Sequence, residues 1–185
     1  VTGTGSPISF GPQTATGNYT VLADNSATHC TATMTGSATI NVSSLPNVYA
    51  MTGGGSYCSG GSGVAVGLAG SQTGVSYRLY NGSVAVGAAI AGTGSALSFG
   101  AQMNAGNYTV VANNSTTGCT SNMTGTGTVV VNPLPAIHSL TGGGNHCAGG
   151  AGVPVGIDGS DAGVVYTLYY GSSAIGAPVA GTGSD

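Results

Sequence analysis

The 185-residue chain has one Arg and no Lys, four Asp and no Glu, 36 Gly, no Trp and a formal net charge of −3. One cation cannot neutralise a phosphate backbone, so nucleic acid is excluded as a partner. No apolar run approaches the roughly 20 residues of a membrane-spanning helix. With 3% charged and 41% hydrophobic residues, the chain lacks the signature of disorder and is expected to fold beneath a surface of Ser, Thr, Asn and Gly. Such a surface resists self-association weakly.

Residues 1–96 and 90–185 are one segment written twice at a constant offset of 89, with 54 identities over 96 aligned positions. Phe10 falls on Phe99, Tyr19 on Tyr108, Cys30 on Cys119 and Cys58 on Cys147. Residues 1–46 read as the C-terminal part of a repeat, 47–135 as a complete repeat, and 136–185 as the N-terminal part of a third. Tandem arrays act through length, spacing and avidity. This phase is expected of a window on a longer polypeptide, or of head-to-tail complementation in which 136–185 of one molecule is completed by 1–46 of the next. No signal peptide is visible, and one is expected either to have been removed or to lie far upstream.

Along residues 1–46, Gly17-Asn18-Tyr19-Thr20-Val21 opens a strand, and Ser44-Leu45-Pro46 makes a short joint that proline holds extended. The complete repeat starts with a strand near Val48–Thr52. Apolar residues then alternate through Val64, Val66, Leu68; Val75, Tyr77, Leu79; Val84, Val86; Leu97, Phe99; Tyr108, Val110, Ala112; and Val129, Val131. A period of two places one face of each strand in a core. Turn formers separate the runs, and Asn81-Gly82 predicts a two-residue hairpin loop because both residues tolerate positive φ. Asn132-Pro133-Leu134-Pro135 forms the second joint, after which 136–185 begins the pattern again. No helical stripe is present. The predicted class is all-β: tandem immunoglobulin- or fibronectin-III-like Greek-key sandwiches, about seven strands per repeat. The rival, a β-solenoid, needs a sub-period of roughly 20–30 residues that is not visible.

Two cysteines recur per repeat, which predicts disulfides and an oxidising, extracellular setting. A Cys58–Cys119 bridge would staple one repeat, leaving Cys30 and Cys147 for a neighbouring unit or molecule; Cys30–Cys58 with Cys119–Cys147 is the alternative. Zinc is disfavoured because His29, His138 and His146 align with Gly118, Tyr49 and Tyr57. Tyr19 and Tyr108 occupy the tyrosine-corner position of Greek-key sandwiches. Asn18, Asn41, Asn81, Asn107, Asn113, Asn114 and Asn122 head Asn-x-Ser/Thr sequons and are candidate glycosylation sites. Asp158-Gly159-Ser160-Asp161 is read as a polar turn rather than a Ca²⁺ loop. No paired acid and base suggests catalysis, so neither an enzyme nor a cofactor is expected.

The segments Cys58-Ser59-Gly60-Gly61-Ser62-Gly63-Val64, Gly106-Asn107-Tyr108-Thr109-Val110-Val111-Ala112, Gly118-Cys119 and Val131-Asn132-Pro133-Leu134-Pro135 resemble Ig-like modules of large Bacteroidota surface proteins. These include gliding adhesins and proteins exported by the type IX pathway. The resemblance implies a cell-surface or extracellular filament or adhesin stalk, and it carries no catalytic residue to any position. The expected partner is another copy or a continuing array, without membrane insertion. The alternative is a glycan-binding module using Tyr49, Tyr57, Tyr80, Tyr169 and Tyr170, although Tyr49 and Tyr57 become His138 and His146 in the next repeat.

Overall fold

The computed structural model describes residues 1–183, so the last two positions of the 136–185 segment lie outside the described residues. It is all-β, with no helix among the described residues. The strands are β1 (Gly17–Tyr19), β2 (Leu22–Asp24), β3 (Thr31–Thr33), β4 (Ala38–Ile40), β5 (Met51–Gly53), β6 (Gly55–Cys58), β7 (Val64–Leu68), β8 (Ser76–Asn81), β9 (Val84–Ala91), β10 (Leu97–Gln102), β11 (Gly106–Asn113), β12 (Thr120–Asn122), β13 (Gly127–Asn132), β14 (Leu140–Gly142), β15 (Val155–Ile157), β16 (Val165–Tyr170) and β17 (Ser173–Ala180). Two compact units result: Val1–Gly55 with Val64–Val129, and Ser56–Gly63 with Val130–Asp185.

The complete repeat folds as a β-sandwich. One sheet has the order β10-β7-β5; the other runs β6-β13-β11-β8-β9, with β12 paired to β11. Alternation decides what is buried: Val66 and Leu68 of β7, Tyr77 and Leu79 of β8, Tyr108, Val110 and Ala112 of β11, and Val129 of β13 all point inward. The two inner faces meet closely, since a Cβ on Gly127 of β13 would stand 3.0 Å from Val66 Cγ1 of β7. Each Val or Leu sealed in this way contributes about 1.5–3 kcal/mol of transfer free energy. Interior strand β8 is hydrogen-bonded on both sides, with Arg78 opposite Val111 of β11.

Two features differ from expectation. The complete repeat has nine strands (β5 to β13), because β6 (Gly-Ser-Tyr-Cys) and β12 (Thr-Ser-Asn) join the sheets as neighbours of β13 and β11 without any apolar alternation. The hairpin loop is also shifted by one residue. Asn81 pairs with Val84, so the loop is Gly82-Ser83, and only Gly82 has positive φ, at 60°. Glycine at the first loop position is the type II′ requirement. Asn81 instead ends the strand, its side-chain amide donating to the Ala105 carbonyl at 3.2 Å. The β16–β17 hairpin has the same geometry: Tyr170 replaces Asn, and Gly171 has φ 62°.

The flanking segments retain the pairings internal to each half of the repeat. In the first unit, β1 pairs with β4 (Gly17 opposite Ile40) as β11 pairs with β13 (Gly106 opposite Val129). Likewise β2 pairs with β3 (Leu22 opposite Thr33) as β11 pairs with β12 (Val111 opposite Asn122). In the second unit, Leu140 lies opposite Ile157 as Met51 lies opposite Leu68, and β16–β17 repeats β8–β9.

Candidate functional site

The principal surface features are two apolar faces. In residues 1–46, strands β1, β2 and β4 with the segments before β1 and after β3 line an open hollow of about 930 Å³ with Phe10, Tyr19, Val21, Met34 and Ile40. Phe10 is 56% exposed and Met34 44%, whereas Met123, the repeat counterpart of Met34, is 7% exposed. In the second unit, Leu140, Val155, Ile157, Tyr166, Leu168 and Val179 line a hollow of about 520 Å³. Val155 is 53% exposed and Leu168 45%, against 1% for each of their counterparts, Val66 and Leu79. Chains rarely leave contiguous apolar faces uncovered unless something docks there.

Of the sequence-predicted residues Tyr19 lines the first hollow; the cysteines, the sequon asparagines and the candidate stacking tyrosines line neither. The Tyr108 hydroxyl donates to the Asn104 carbonyl at 2.8 Å, and Tyr19 donates to Ala15 at 2.9 Å, each four residues back along the chain. This is the tie-back of a tyrosine corner. All four cysteines are unbridged. Cys119 Sγ lies 3.9 Å from the Ser43 carbonyl oxygen, beside the first joint. Cys58 precedes Ser59, whose N–H donates to the Asn132 carbonyl at 2.8 Å, beside the second joint. Cys30 and Cys147 are exposed.

Several sequon amides already have structural work. Asn18 and Asn107 accept hydrogen bonds from the Thr39 and Thr128 hydroxyls, and the Asn114 carboxamide oxygen caps the N–H groups of Thr116 and Thr117. Asn81 donates the very nitrogen that a glycan would occupy, whereas Asn41, Asn113 and Asn122 stand exposed. Among the candidate stacking tyrosines, Tyr49 lies against Gly70, where a Cβ would approach its ring to 2.6 Å. Tyr57 and Tyr80 are half-buried. Tyr169 and Tyr170 are 60% and 80% exposed.

A latch that the sequence reading missed recurs at each β-arch. Ser71 is buried; its Oγ donates to the Ser95 carbonyl at 2.6 Å and accepts the Thr93 N–H at 3.0 Å. Ser160 accepts the Thr182 N–H at 3.0 Å in the same way. The Gln72 N–H donates to the Tyr77 hydroxyl at 2.8 Å, as the Asp161 N–H does to that of Tyr166. Burial pushes the Tyr77 hydroxyl above its ordinary pKa of 10.0; the Gln72 N–H offsets part of that rise and nearby Tyr49 adds to it. The readable signal was the repetition of Ser71 and Thr93 as Ser160 and Thr182.

The Asp158–Asp161 turn is engaged with its own neighbourhood. Asp161 accepts the Ala136 N–H at 2.6 Å, as Gln72 accepts the Asn47 N–H at 3.0 Å, and Asp158 accepts the Ser139 N–H at 2.8 Å. His138 lies 3.4 Å from Asp161 and 4.0 Å from Asp158. These carboxylates fix the backbone after the joint.

No protein-family model matches the sequence, and no curated protein is significantly similar to it.

Proposed function

We propose that the chain is a structural extracellular protein: a tandem array of Ig-like sandwiches forming a surface filament or the stalk of an adhesin. The observation that carries this reading is the gapless 89-residue repeat, whose one complete copy closes its own core. Spacing is then the product of the fold, since short proline-bearing joints favour a semi-rigid rod. The two-sheet arrangement, with β11 antiparallel to both its neighbours β13 and β8, supports the Ig-like assignment. The resemblance to Bacteroidota surface modules supports the location, and the near-neutral surface supports close lateral association. In an oxidising exterior the cysteines are bridge formers.

Electron microscopy of the purified protein, with antibody labelling of intact cells that produce it, tests this reading. Thin rods with one axial period and label on the cell exterior are expected. The second reading, a glycan-binding module, is favoured by the exposure of Tyr169 and Tyr170. Compact particles with saturable binding on a glycan array, lost in Tyr169→Ala/Tyr170→Ala, would replace the first reading with the second.

A further inference from the structure

Asn81-Gly82 is the only Asn-Gly pair in the 185 residues. Such a pair is prone to spontaneous deamidation, because no Cβ on the second residue hinders the approach of its backbone nitrogen. We infer that the fold holds Asn81 as a latent modification site, inert while β8 is paired with β11 and hydrolysed by water once that pairing opens. The inference does not depend on the array reading, since every group involved lies within the complete repeat.

The reaction needs two atoms to meet. The Gly82 nitrogen gives up its proton to base and attacks the side-chain carbonyl carbon of Asn81. The new C–N bond closes a five-membered imide, and the carboxamide nitrogen leaves as ammonia. Water then opens the imide at either carbonyl, giving Asp or the isomer whose backbone runs through the side chain. No electrons are transferred, and water is the co-reactant.

Both atoms are engaged elsewhere in the folded chain. The Asn81 amide nitrogen donates to the Ala105 carbonyl at 3.2 Å, and the Gly82 N–H donates to the Asn107 carbonyl, also at 3.2 Å. These acceptors flank Gly106, the first residue of β11, where a Cβ would collide with the Asn81 carboxamide oxygen. The carboxamide therefore lies directly against β11 backbone. Asn81 is also the last residue of β8, opposite Tyr108 of β11 and Val84 of β9. The extended ψ of a strand turns the Gly82 nitrogen away from the carbon it would attack. Ring closure thus requires the end of β8 to leave β11, and the frequency of that local opening sets the rate.

The product cannot restore what was lost. A carboxylate at position 81 presents an acceptor to the Ala105 carbonyl where a donor stood, so a hydrogen bond becomes a repulsion. The isomer also adds one backbone atom before the Gly82-Ser83 loop, which breaks the register of Asn81 with Val84. Each opening that ends in hydrolysis thereby makes the next one easier. The following repeat has Tyr170 at this position, so its β16–β17 hairpin carries no such site.

The test incubates the full chain in mildly alkaline heavy-oxygen water, folded and in urea, and maps uptake of the label at residue 81 by peptide mass spectrometry. The label separates hydrolysis during the incubation from any that came before. A rate at least about tenfold lower in the folded chain than in urea is expected, following the population of the open strand. Leu79→Ala, which loosens the core beneath β8, should raise the folded rate several-fold and leave the rate in urea unchanged. Sub-denaturing urea on the parent chain should raise the rate in the same way, whether or not that variant folds. Asn81→Asp should lower the midpoint of urea unfolding. Equal rates in the folded and unfolded chains, a folded rate insensitive to sub-denaturing urea, or an Asn81→Asp chain as stable as its parent overturns the inference.

Discussion

Val66 and Val155 occupy the same repeat position and the same kind of strand, yet one is 1% exposed and the other 53%. Leu79 and Leu168 differ in the same sense, as do Val110 and Val21. Local pairing is conserved between these regions, down to the hairpin loop and the β-arch latch. What differs is the neighbourhood: β7 and β8 lie beside β10 and β11, whereas β15 and β16 have no such neighbours among the described residues. Strand formation and hairpin register are therefore local properties of this sequence, whereas core burial needs both halves.

Truncating matched residues separates the two contributions most sharply. Leu79→Ala should cost the complete repeat about 2–5 kcal/mol, through lost transfer free energy and the cavity left behind. Leu168→Ala should cost under about 1 kcal/mol in dilute, reduced protein. Urea unfolding followed by tyrosine fluorescence measures both. If the second value climbs toward the first as concentration rises, the exposed face has found its cover.

Glycine contacts are expected to break the contrast, because they are local. A Cβ on Gly92 would collide with the Gln72 carbonyl oxygen and come within 3.0 Å of the Tyr77 ring; a Cβ on Gly181 meets the Asp161 carbonyl oxygen and the Tyr166 ring in the same way. Gly92→Ala and Gly181→Ala should each destabilise their arch by about 1–3 kcal/mol. Hydrogen exchange at the N–H groups of Gln72 and Asp161, which are bonded to those tyrosines, reads the effect site by site.

Smaller effects come from the tyrosine corners. Tyr108→Phe removes one hydrogen bond in a buried setting and should cost about 1 kcal/mol in thermal unfolding. Tyr19→Phe, half-exposed, should cost less because water can satisfy the Ala15 carbonyl.

The smallest effect is an alkaline one. The folded Tyr77 hydroxyl holds its proton above the ordinary value of 10.0, mainly because burial penalises the phenolate. Between the unfolded and folded pKa values the unfolded state binds fewer protons, so stability present below pH 10 is lost as pH rises through the folded value. Unfolding free energy measured from pH 9 upward should fall with a slope that Tyr77→Phe reduces.

Much of the fold was legible because apolar alternation and a visible repeat agree with each other. The runs at Val64–Leu68 and Tyr108–Ala112 became strands and Val75–Leu79 leads into β8; of their expected inward residues only Val64 is half-buried rather than buried. β6 and β12 were illegible because backbone pairing recruits them and their side chains do not announce it. The hairpin loop was misplaced because Asn-Gly carries a strong loop preference, while here Asn81 serves the strand end and its amide serves Ala105.

The strand holding Arg78 has a practical consequence. Arg78 is the only basic side chain after which a trypsin-like protease can cut, and its peptide runs through β8 between β11 and β9. A protease must bind an extended, unpaired segment, so digestion at this bond waits for this interior strand to leave its sheet. Cleavage rate therefore counts large-scale openings of the sandwich. A digest with trypsin alone therefore reports on one strand of the sandwich, independently of the exposed aromatic and aliphatic positions that other proteases would use.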